Sequence, residues 1–515
     1  MKKIAVILAA GIGSRLRPET YEKPKCLVNI EGKPILEYQL TALEKIDIDE
    51  IIIVIGYLSD KVQKYIRMRK NKIPVKLIRN ERYLETNNMY SLKLALDYVG
   101  IKNIAELYVI NGDVIIEPKI AKVIASSEDT SAIAIDNSQY LEESMKVIIK
   151  DGFVKDISKN ISPIEFSAVS IDFYKFIHDD IVLLNTAIEE FIQNGYENLW
   201  TEVAIQRIIQ EKDARIKPAN ITGLIWWEID NKIDKERAEY RIRLLNKSNI
   251  LQNCEIFAFD LDGTILLGNK EIPGASDLIE FLKKLDKRVY FITNNSSMPN
   301  PQHYQRLSNI LHTNISPEMI FSSLDYIGEI LLREKSPLVY ALLPKSSINY
   351  LASEYGITFV EDTPDVVLVG FDTELSYDKL KKASIFIQKG TKYYLVHPDV
   401  RCPTEEGFIP DAGSISKVIE LTTKKRPEII GGKPNPEMLK KLAEIHNTSP
   451  EKICYVGDRL ETDIKMATDS GAVPILFLTG ETTFEDIYQN TELKEKIILG
   501  ENPKFLLNFL QKHWD

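Results

Sequence analysis

Apolar and polar positions along the chain follow two rhythms. Continuous apolar runs at Lys3–Ala9, Glu50–Ile55, Val75–Ile78 and Leu107–Ile110 predict short buried strands. Between them lie amphipathic stretches. Ile35–Ile46 places Leu36, Leu40 and Leu43 on one helical face, and residues 60–68 read the same way. Asn87-Asn88-Met89-Tyr90-Ser91 opens a helix through Leu92 and Leu96, with Asn or Ser as its cap. Asp234–Lys247 is densely charged and reads as a solvated closing helix, with Ser248-Asn249 as a short polar link. The alternation then restarts. Ile256–Phe259, Val289–Ile292 and Ile453–Val456 predict strands, residues 275–284 a helix, and the main pattern resumes at Ile429-Ile430. Residues 325–410 interrupt it with strands of their own, at Val366–Val369 and Lys392–Val396. Repeated strand–helix–strand units predict an α/β fold of two doubly wound, Rossmann-like domains. The expected domains are 1–245 and 250–515, the second with an inserted α/β cap at about 325–410.

A length of 515 residues agrees with two or three domains. A net charge of −10 and a pI near 5.4 argue against nucleic acid or a membrane surface as partner. No stretch is apolar for long enough to span a bilayer, and the opening MKKIAVILAAGIGSRL runs into a glycine-rich turn rather than a cleavage site. Cys26, Cys254, Cys402 and Cys454 lie far apart, which predicts reduced thiols and a cytoplasmic protein without a zinc site. The oligomeric state is left open.

The first chemistry appears where the first strand ends, at Ala10-Gly11-Ile12-Gly13-Ser14-Arg15-Leu16-Arg17. A glycine-rich turn after a buried strand presents backbone N–H groups to an anion, and Arg15, Arg17, Lys23 and Lys25 add positive charge. This reads as a triphosphate cradle. Neither the ATPase P-loop nor the dinucleotide fingerprint is present. Asp113 ends another buried strand, as a magnesium ligand would, and Asp230 in Trp226-Trp227-Glu228-Ile229-Asp230 offers a second strand-borne acid.

LAAGIGSRL, KPKCL, GYLSD, NNMYSL, INGDV and WWEID together resemble the nucleotidyltransferases that activate phosphorylated sugars and alcohols, nearest to the small phosphocholine-type cytidylyltransferases. The resemblance covers about residues 1–240. It implies that Gly11, Gly13, Arg15 and Lys25 hold the triphosphate of CTP and that Asp113 and Asp230 bind Mg²⁺. It also places Leu8, Ala9 and Ala10, with Gly56 and Asn88, near the base. The implied reaction is attack of an acceptor phosphate on the α-phosphorus, with Lys25 and Arg15 stabilising charge. Choline would call for an aromatic cage, for which Trp200, Glu202, Trp226, Trp227 and Tyr174 are candidates, although aromatics at such positions more often serve a core. Glu142–Val147 lacks the tryptophan expected of the phosphocholine enzymes. The acceptor class is therefore a small phosphorylated alcohol, either glycerol phosphate or a phosphocholine-like compound. The alternatives are a sugar 1-phosphate enzyme using UTP or dTTP, or one domain acting as a non-catalytic binding module.

In the second half, Phe259-Asp260-Leu261-Asp262-Gly263-Thr264 ends an apolar run in two aspartates one residue apart. Strand alternation turns both toward one site, where they repel unless a cation or proton sits between them. Thr293-Asn294-Asn295-Ser296, Gly431-Gly432-Lys433-Pro434 and Gly457-Asp458-Arg459-Leu460-Glu461-Thr462-Asp463 follow, each at a predicted strand end. Together the four motifs resemble the haloacid dehalogenase superfamily, in its C2-capped, 4-nitrophenylphosphatase-like branch. That resemblance implies a phosphatase for a small phosphomonoester. Asp260 would be nucleophile, Asp262 general acid and then base, and Thr293, Asn294 and Lys433 would hold the phosphoryl group. Asp260, Asp458 and Asp262 (through its carbonyl) would hold Mg²⁺, with Asp463 behind them.

Overall fold

The computed structural model describes residues 1–335, 337–404, 406–489 and 496–514. It divides into two compact units: Met1–Asn246 together with Asn508–Asp515, and Lys247–Leu507. The last eight residues, assigned above to the second domain, thus fall in the first unit. Both units are α/β and built on parallel strands.

In the first unit, Lys2–Ala9 lies between Glu50–Ile55 and Ile104–Asn111, parallel to both, and Val75–Arg79 extends that side. Beyond Ile104–Asn111 the sheet turns antiparallel through Ala168–Ile177, which pairs with Lys146–Lys150 and Ala132–Asp136. Consecutive side chains of Lys2–Ala9 enter opposite cores. Ile4, Val6 and Leu8 pack with Met89 and Leu92, while Ala5, Ile7 and Ala9 pack with Leu36 and Leu40. Helices bury both faces, which is why the parallel strands read as unbroken apolar runs. The helix expected over Ile35–Ile46 closes earlier, as Ile35–Leu43. A separate ribbon pairs Val114–Ile116 antiparallel with Trp226–Glu228, placing Glu228 opposite Val114.

In the second unit six parallel strands run in the order Ile320–Ser322, Arg288–Thr293, Ile256–Phe259, Ile453–Gly457, Val473–Phe477, Ile498–Glu501. A separate five-stranded parallel sheet runs Thr358–Phe359, Leu338–Leu342, Val366–Val369, Lys392–Leu395, Ile429–Ile430. Two expectations change here. Ile429-Ile430 does not resume the main sheet but forms the edge of the inserted one, so the insertion extends past residue 410. Ser248-Asn249 is not an extended link but begins the helix Ser248–Asn253, whose Leu251 is fully buried.

Candidate active sites

The first site is a 330 Å³ cavity at the carboxyl ends of Lys2–Ala9 and Ile104–Asn111. Leu8, Ala10, Gly11, Gly13, Arg15, Lys25, Asn88, Asp113 and Asp230 all line it. Gly13 has φ +67°, and a Cβ there would lie 2.9 Å from the Lys25 Cβ, so glycine is what lets Lys25 pass close to the loop. Ala9 and Gly56 do not line the cavity, contrary to expectation. Strand alternation turns Ala9 into the core opposite Leu8. Gly56 packs behind the loop, where a Cβ would meet the Ala10 carbonyl at 2.6 Å.

Lys25 Nζ donates to Asp113 Oδ2 at 2.7 Å and to Asp230 Oδ1 at 2.8 Å, and Arg15 reaches the same Asp230 oxygen at 2.9 Å. Glu228, which the sequence reading passed over, completes a carboxylate trio: Asp113, Glu228 and Asp230 have oxygens within 4.8 Å of one another. The ribbon pairing builds this trio, and the Ile229 N–H donates to the Asp113 carbonyl at 3.0 Å. Burial, then the neighbouring Asp113 and Asp230, push the Glu228 carboxyl up to about 8. Asp230 is held below the usual carboxylate range: Lys25 and Arg15 outweigh the burial that would raise it. Asp113 Oδ1 is buried with no hydrogen-bond partner among the described residues. Three hard oxygen donors, one orphaned and one forced toward protonation, fit a divalent cation such as Mg²⁺.

The aromatic cage does not assemble. Tyr174 is a core residue at 0% exposure; Trp226 and Trp227, at 1% and 6%, line a separate 210 Å³ cavity with Glu228, Asp230 and Asp234, and Trp226 Nε1 donates to Asp136 at 2.8 Å. Of the five candidates, Trp200 and Glu202 line the first cavity. Lys159 and Asp172 line it as well, and the sequence reading had selected neither. Burial raises both the Asp172 and Glu202 carboxyls.

The second site is a 50 Å³ cavity lined by Asp260, Asp262, Thr293, Asn294 and Lys433, with Asp399, Arg401, Asp411 and Arg459 among the others. Asp260 is buried just past Ile256–Phe259, and its N–H donates to the Val456 carbonyl at 2.8 Å. Lys433 Nζ donates to Asp260 Oδ1 and, at 2.7 Å, to Asp463 Oδ1. Asp463 lies on a wide helical turn in which Ile464 N–H reaches back five residues to the Arg459 carbonyl at 3.1 Å. It is fully buried and also accepts from Tyr455 OH at 3.0 Å. Asp260, Asp458 and Asp463 form a second trio within 4.8 Å. Burial, then Asp463, raise Asp458 to about 6; burial also drives Asp260 well above the carboxylate range despite Lys433. An all-carboxylate donor set whose repulsion Lys433 relieves only in part also fits Mg²⁺.

The Asp262 carboxylate stands outside the trio, held by Arg306 at 2.7 and 3.3 Å, so any metal contact from Asp262 is left to its backbone carbonyl, and Asp463 supplies the third carboxylate. One assignment shifts. The Asn294 side chain is engaged by the protein: Oδ1 accepts from Lys433 N–H at 2.7 Å, and Nδ2 donates to the Lys433 carbonyl at 3.0 Å and to Asp399 at 3.1 Å. It positions Lys433 rather than presenting an amide to phosphate.

Replacing Lys433 with Met leaves Asp260 and Asp463 buried without their cation. The expected cost is about 3–5 kcal/mol at neutral pH in urea unfolding without metal. Added Mg²⁺ should recover part of that loss.

Family models match separate stretches of the chain. The Nucleotidyl transferase family model matches residues 4–144. The Haloacid dehalogenase-like hydrolase model matches residues 257–358, and a related HAD-hydrolase-like model matches 430–500. The chain is 32% identical to an acid sugar phosphatase of Staphylococcus haemolyticus over 247 residues, 48% of this chain and 91% of that protein. It is also 32% identical to the acid sugar phosphatase of Staphylococcus aureus strain MRSA252, over 46% of this chain and 91% of that protein. Among solved structures, a 4-nitrophenylphosphatase from Thermotoga maritima shares 37% identity over 50% of this chain and 98% of its own, with a TM-score of 0.48. Among the described residues no helix is long and apolar enough to cross a membrane.

Proposed function

The chain belongs, through its C-terminal half, to the haloacid dehalogenase-like hydrolases and carries a nucleotidyl transferase domain at its N terminus, and from that premise we propose a Mg²⁺-dependent bifunctional enzyme. The first site transfers a cytidylyl group from CTP to a small phosphorylated alcohol, releasing pyrophosphate and a CDP-alcohol. The second hydrolyses a small phosphomonoester through an aspartyl-phosphate. The observation that carries the first half is the convergence of the glycine loop, Lys25 and three carboxylates on one cavity. CTP as donor rests on the sequence resemblance of the first motifs.

At the first site an acceptor phosphate oxygen bonds to the α-phosphorus as the bond to the bridging oxygen of pyrophosphate breaks. The backbone around Gly11 and Gly13, with Lys25 and Arg15, holds the triphosphate in line and takes up charge on the leaving pyrophosphate. Asp113, Glu228 and Asp230 hold Mg²⁺, which when bound neutralises phosphate charge.

At the second site Asp260 attacks phosphorus and the ester bond breaks. Asp262, oriented by Arg306, protonates the leaving alkoxide and then takes a proton from the water that cleaves the aspartyl-phosphate. Lys433, fixed by Asn294 and Asp463, and Thr293 hold the phosphoryl oxygens. Asp260, Asp458 and the Asp262 backbone carbonyl, with Asp463 behind them, would hold the second Mg²⁺. Pyrophosphate release from CTP across a panel of phosphorylated alcohols tests the first half. Trapping of radiolabelled phosphate on Asp260 tests the second.

The Glu228 carboxyl gives this reading a pH signature. Because its folded-state pKa is raised to about 8, its contribution to stability is full below the ordinary carboxylate range and is lost as pH rises through about 8. Mg²⁺ must displace that proton, so its apparent affinity rises with pH, by up to about tenfold per unit below pH 8. Mg²⁺ should therefore raise the melting temperature more at pH 8 than at pH 6, and Glu228→Gln should shrink the difference. An equal Mg²⁺ effect at both pH values in the unsubstituted protein would count against Glu228 as a ligand.

A further inference from the structure

We propose that the acceptor at the first site is a phosphorylated polyol whose hydroxyls donate to Asp172 and Glu202. The inference rests on the nucleotidyl-transfer reading of that site and names its acceptor class.

On the wall away from the glycine loop, a directed chain of hydrogen bonds orients Asn88, Asn111 and Asp172. Thr201 N–H donates to Asn88 Oδ1 at 2.8 Å, which sets the amide so that Nδ2 donates to Asn111 Oδ1 at 3.2 Å. Asn111 Nδ2 then donates to Asp172 Oδ2 at 2.9 Å. Tyr174 OH lies 3.0 Å from Asp172 Oδ1 and 2.9 Å from Glu202 Oε1, and its single proton serves one of them at a time. The chain therefore ends on two buried carboxyl groups, and burial raises both, so the pair resists carrying two full charges. Its complement is a neutral ligand group that both donates and accepts, as a hydroxyl does.

The backbone is shaped to present the two carboxyl groups. Asp172 has φ +56° at an irregularity in strand pairing between Ser170 and Tyr174. A non-glycine residue held in that region is strained and recurs where a side chain must be aimed at a site. Glu202 sits in the first turn of Thr201–Glu211, where the helix dipole favours its charge.

Charge and shape exclude the amine alternatives. A trimethylammonium group has no N–H to give and needs open aromatic faces. Tyr174 is in the core; Trp226 and Trp227 line a separate 210 Å³ cavity, where Arg241 already lies 4.3 Å over the Trp227 ring; and the Lys159 ammonium lies 4.9 Å from the Trp200 ring centroid. A primary ammonium would set a second cation beside Lys159. Hydroxyls supply the donors without charge. A cavity of 330 Å³, shared with the nucleotide, suits a small acceptor.

The test uses full-length Asp260→Asn protein, so that acceptors are not hydrolysed. Pyrophosphate release is followed with Mg²⁺ and CTP, UTP or dTTP, against both glycerol phosphates, a longer alditol phosphate, a hexose 1-phosphate, ethanolamine phosphate and phosphocholine. Hydroxylated acceptors should exceed both amines by about tenfold or more in kcat/KM, and the alditol and hexose arms separate open-chain from ring sources. Asp172→Asn and Glu202→Gln, added singly, should raise KM for the hydroxylated acceptor about tenfold or more while leaving KM for the nucleotide unchanged. Retained nucleotide KM also shows that the variants fold. Preference for either amine, unchanged acceptor KM in both variants, or idle polyol phosphates with every nucleotide overturns the inference. Polyol phosphate turnover with UTP or dTTP in place of CTP overturns the cytidylyl reading and leaves this inference standing.

Discussion

Asp260→Asn protein releases no measurable phosphate from phosphomonoesters, a loss of at least about 10³-fold in kcat, and remains folded. The amide keeps the side chain's shape but cannot attack phosphorus, so the aspartyl-phosphate never forms. Stability should not fall with activity. Burial and the neighbouring Asp463 and Asp458 drive the Asp260 carboxyl well above its ordinary range, so its charged form is a strain on the metal-free fold. A neutral replacement removes that strain, while Asp463 still accepts from Lys433 at 2.7 Å. Urea unfolding without metal should give an unchanged or higher midpoint near neutral pH. Phosphatase activity surviving in this variant would remove Asp260 from the nucleophile's role.

Lys25→Met is the matching change at the first site. Its ammonium is the cation bridging Asp113 and Asp230, placed beside the loop by the absence of a Cβ at Gly13. Once nucleotide and metal occupy the site, the same ammonium stabilises charge on the triphosphate. The expected loss of pyrophosphate-forming activity is about 10²–10³-fold in kcat, with phosphate release at the second site unchanged. A rise in KM alone, with kcat intact, would mean that Lys25 serves binding and not the transfer step.

The sequence made the strand ends legible because buried parallel strands are apolar throughout and stop at the first polar residue. Asp260 and Asp458 each stand at such a boundary and Asp113 two residues past one, at Asn111, and each lines a cavity or joins a trio. Glu228 was within reach of the same reasoning. It stands two residues before Asp230, the spacing that drew attention to Asp260 and Asp262, but it lies between tryptophans and an isoleucine that read as core. The cage failed for a related reason: composition supplies the aromatics, but whether a ring faces a cavity or the core depends on strand register, which pairing across the sheet decides. Asp172 could not be found by periodicity at all, because its direction comes from an irregularity within the strand. The edge strand Ile429–Ile430 was misplaced because a two-residue apolar step carries no sign of which sheet it joins.

The most direct test of two catalytic sites in one chain is a phosphorus NMR time course of the full-length protein with Mg²⁺, CTP and glycerol phosphate. The account predicts three products from the unsubstituted chain: pyrophosphate, a diphosphodiester and inorganic phosphate. With Asp260→Asn the inorganic phosphate vanishes and the diphosphodiester persists; with Lys25→Met the reverse holds. Loss of both activities from either single substitution, or no diphosphodiester with any nucleotide and acceptor while phosphate release continues, would contradict it.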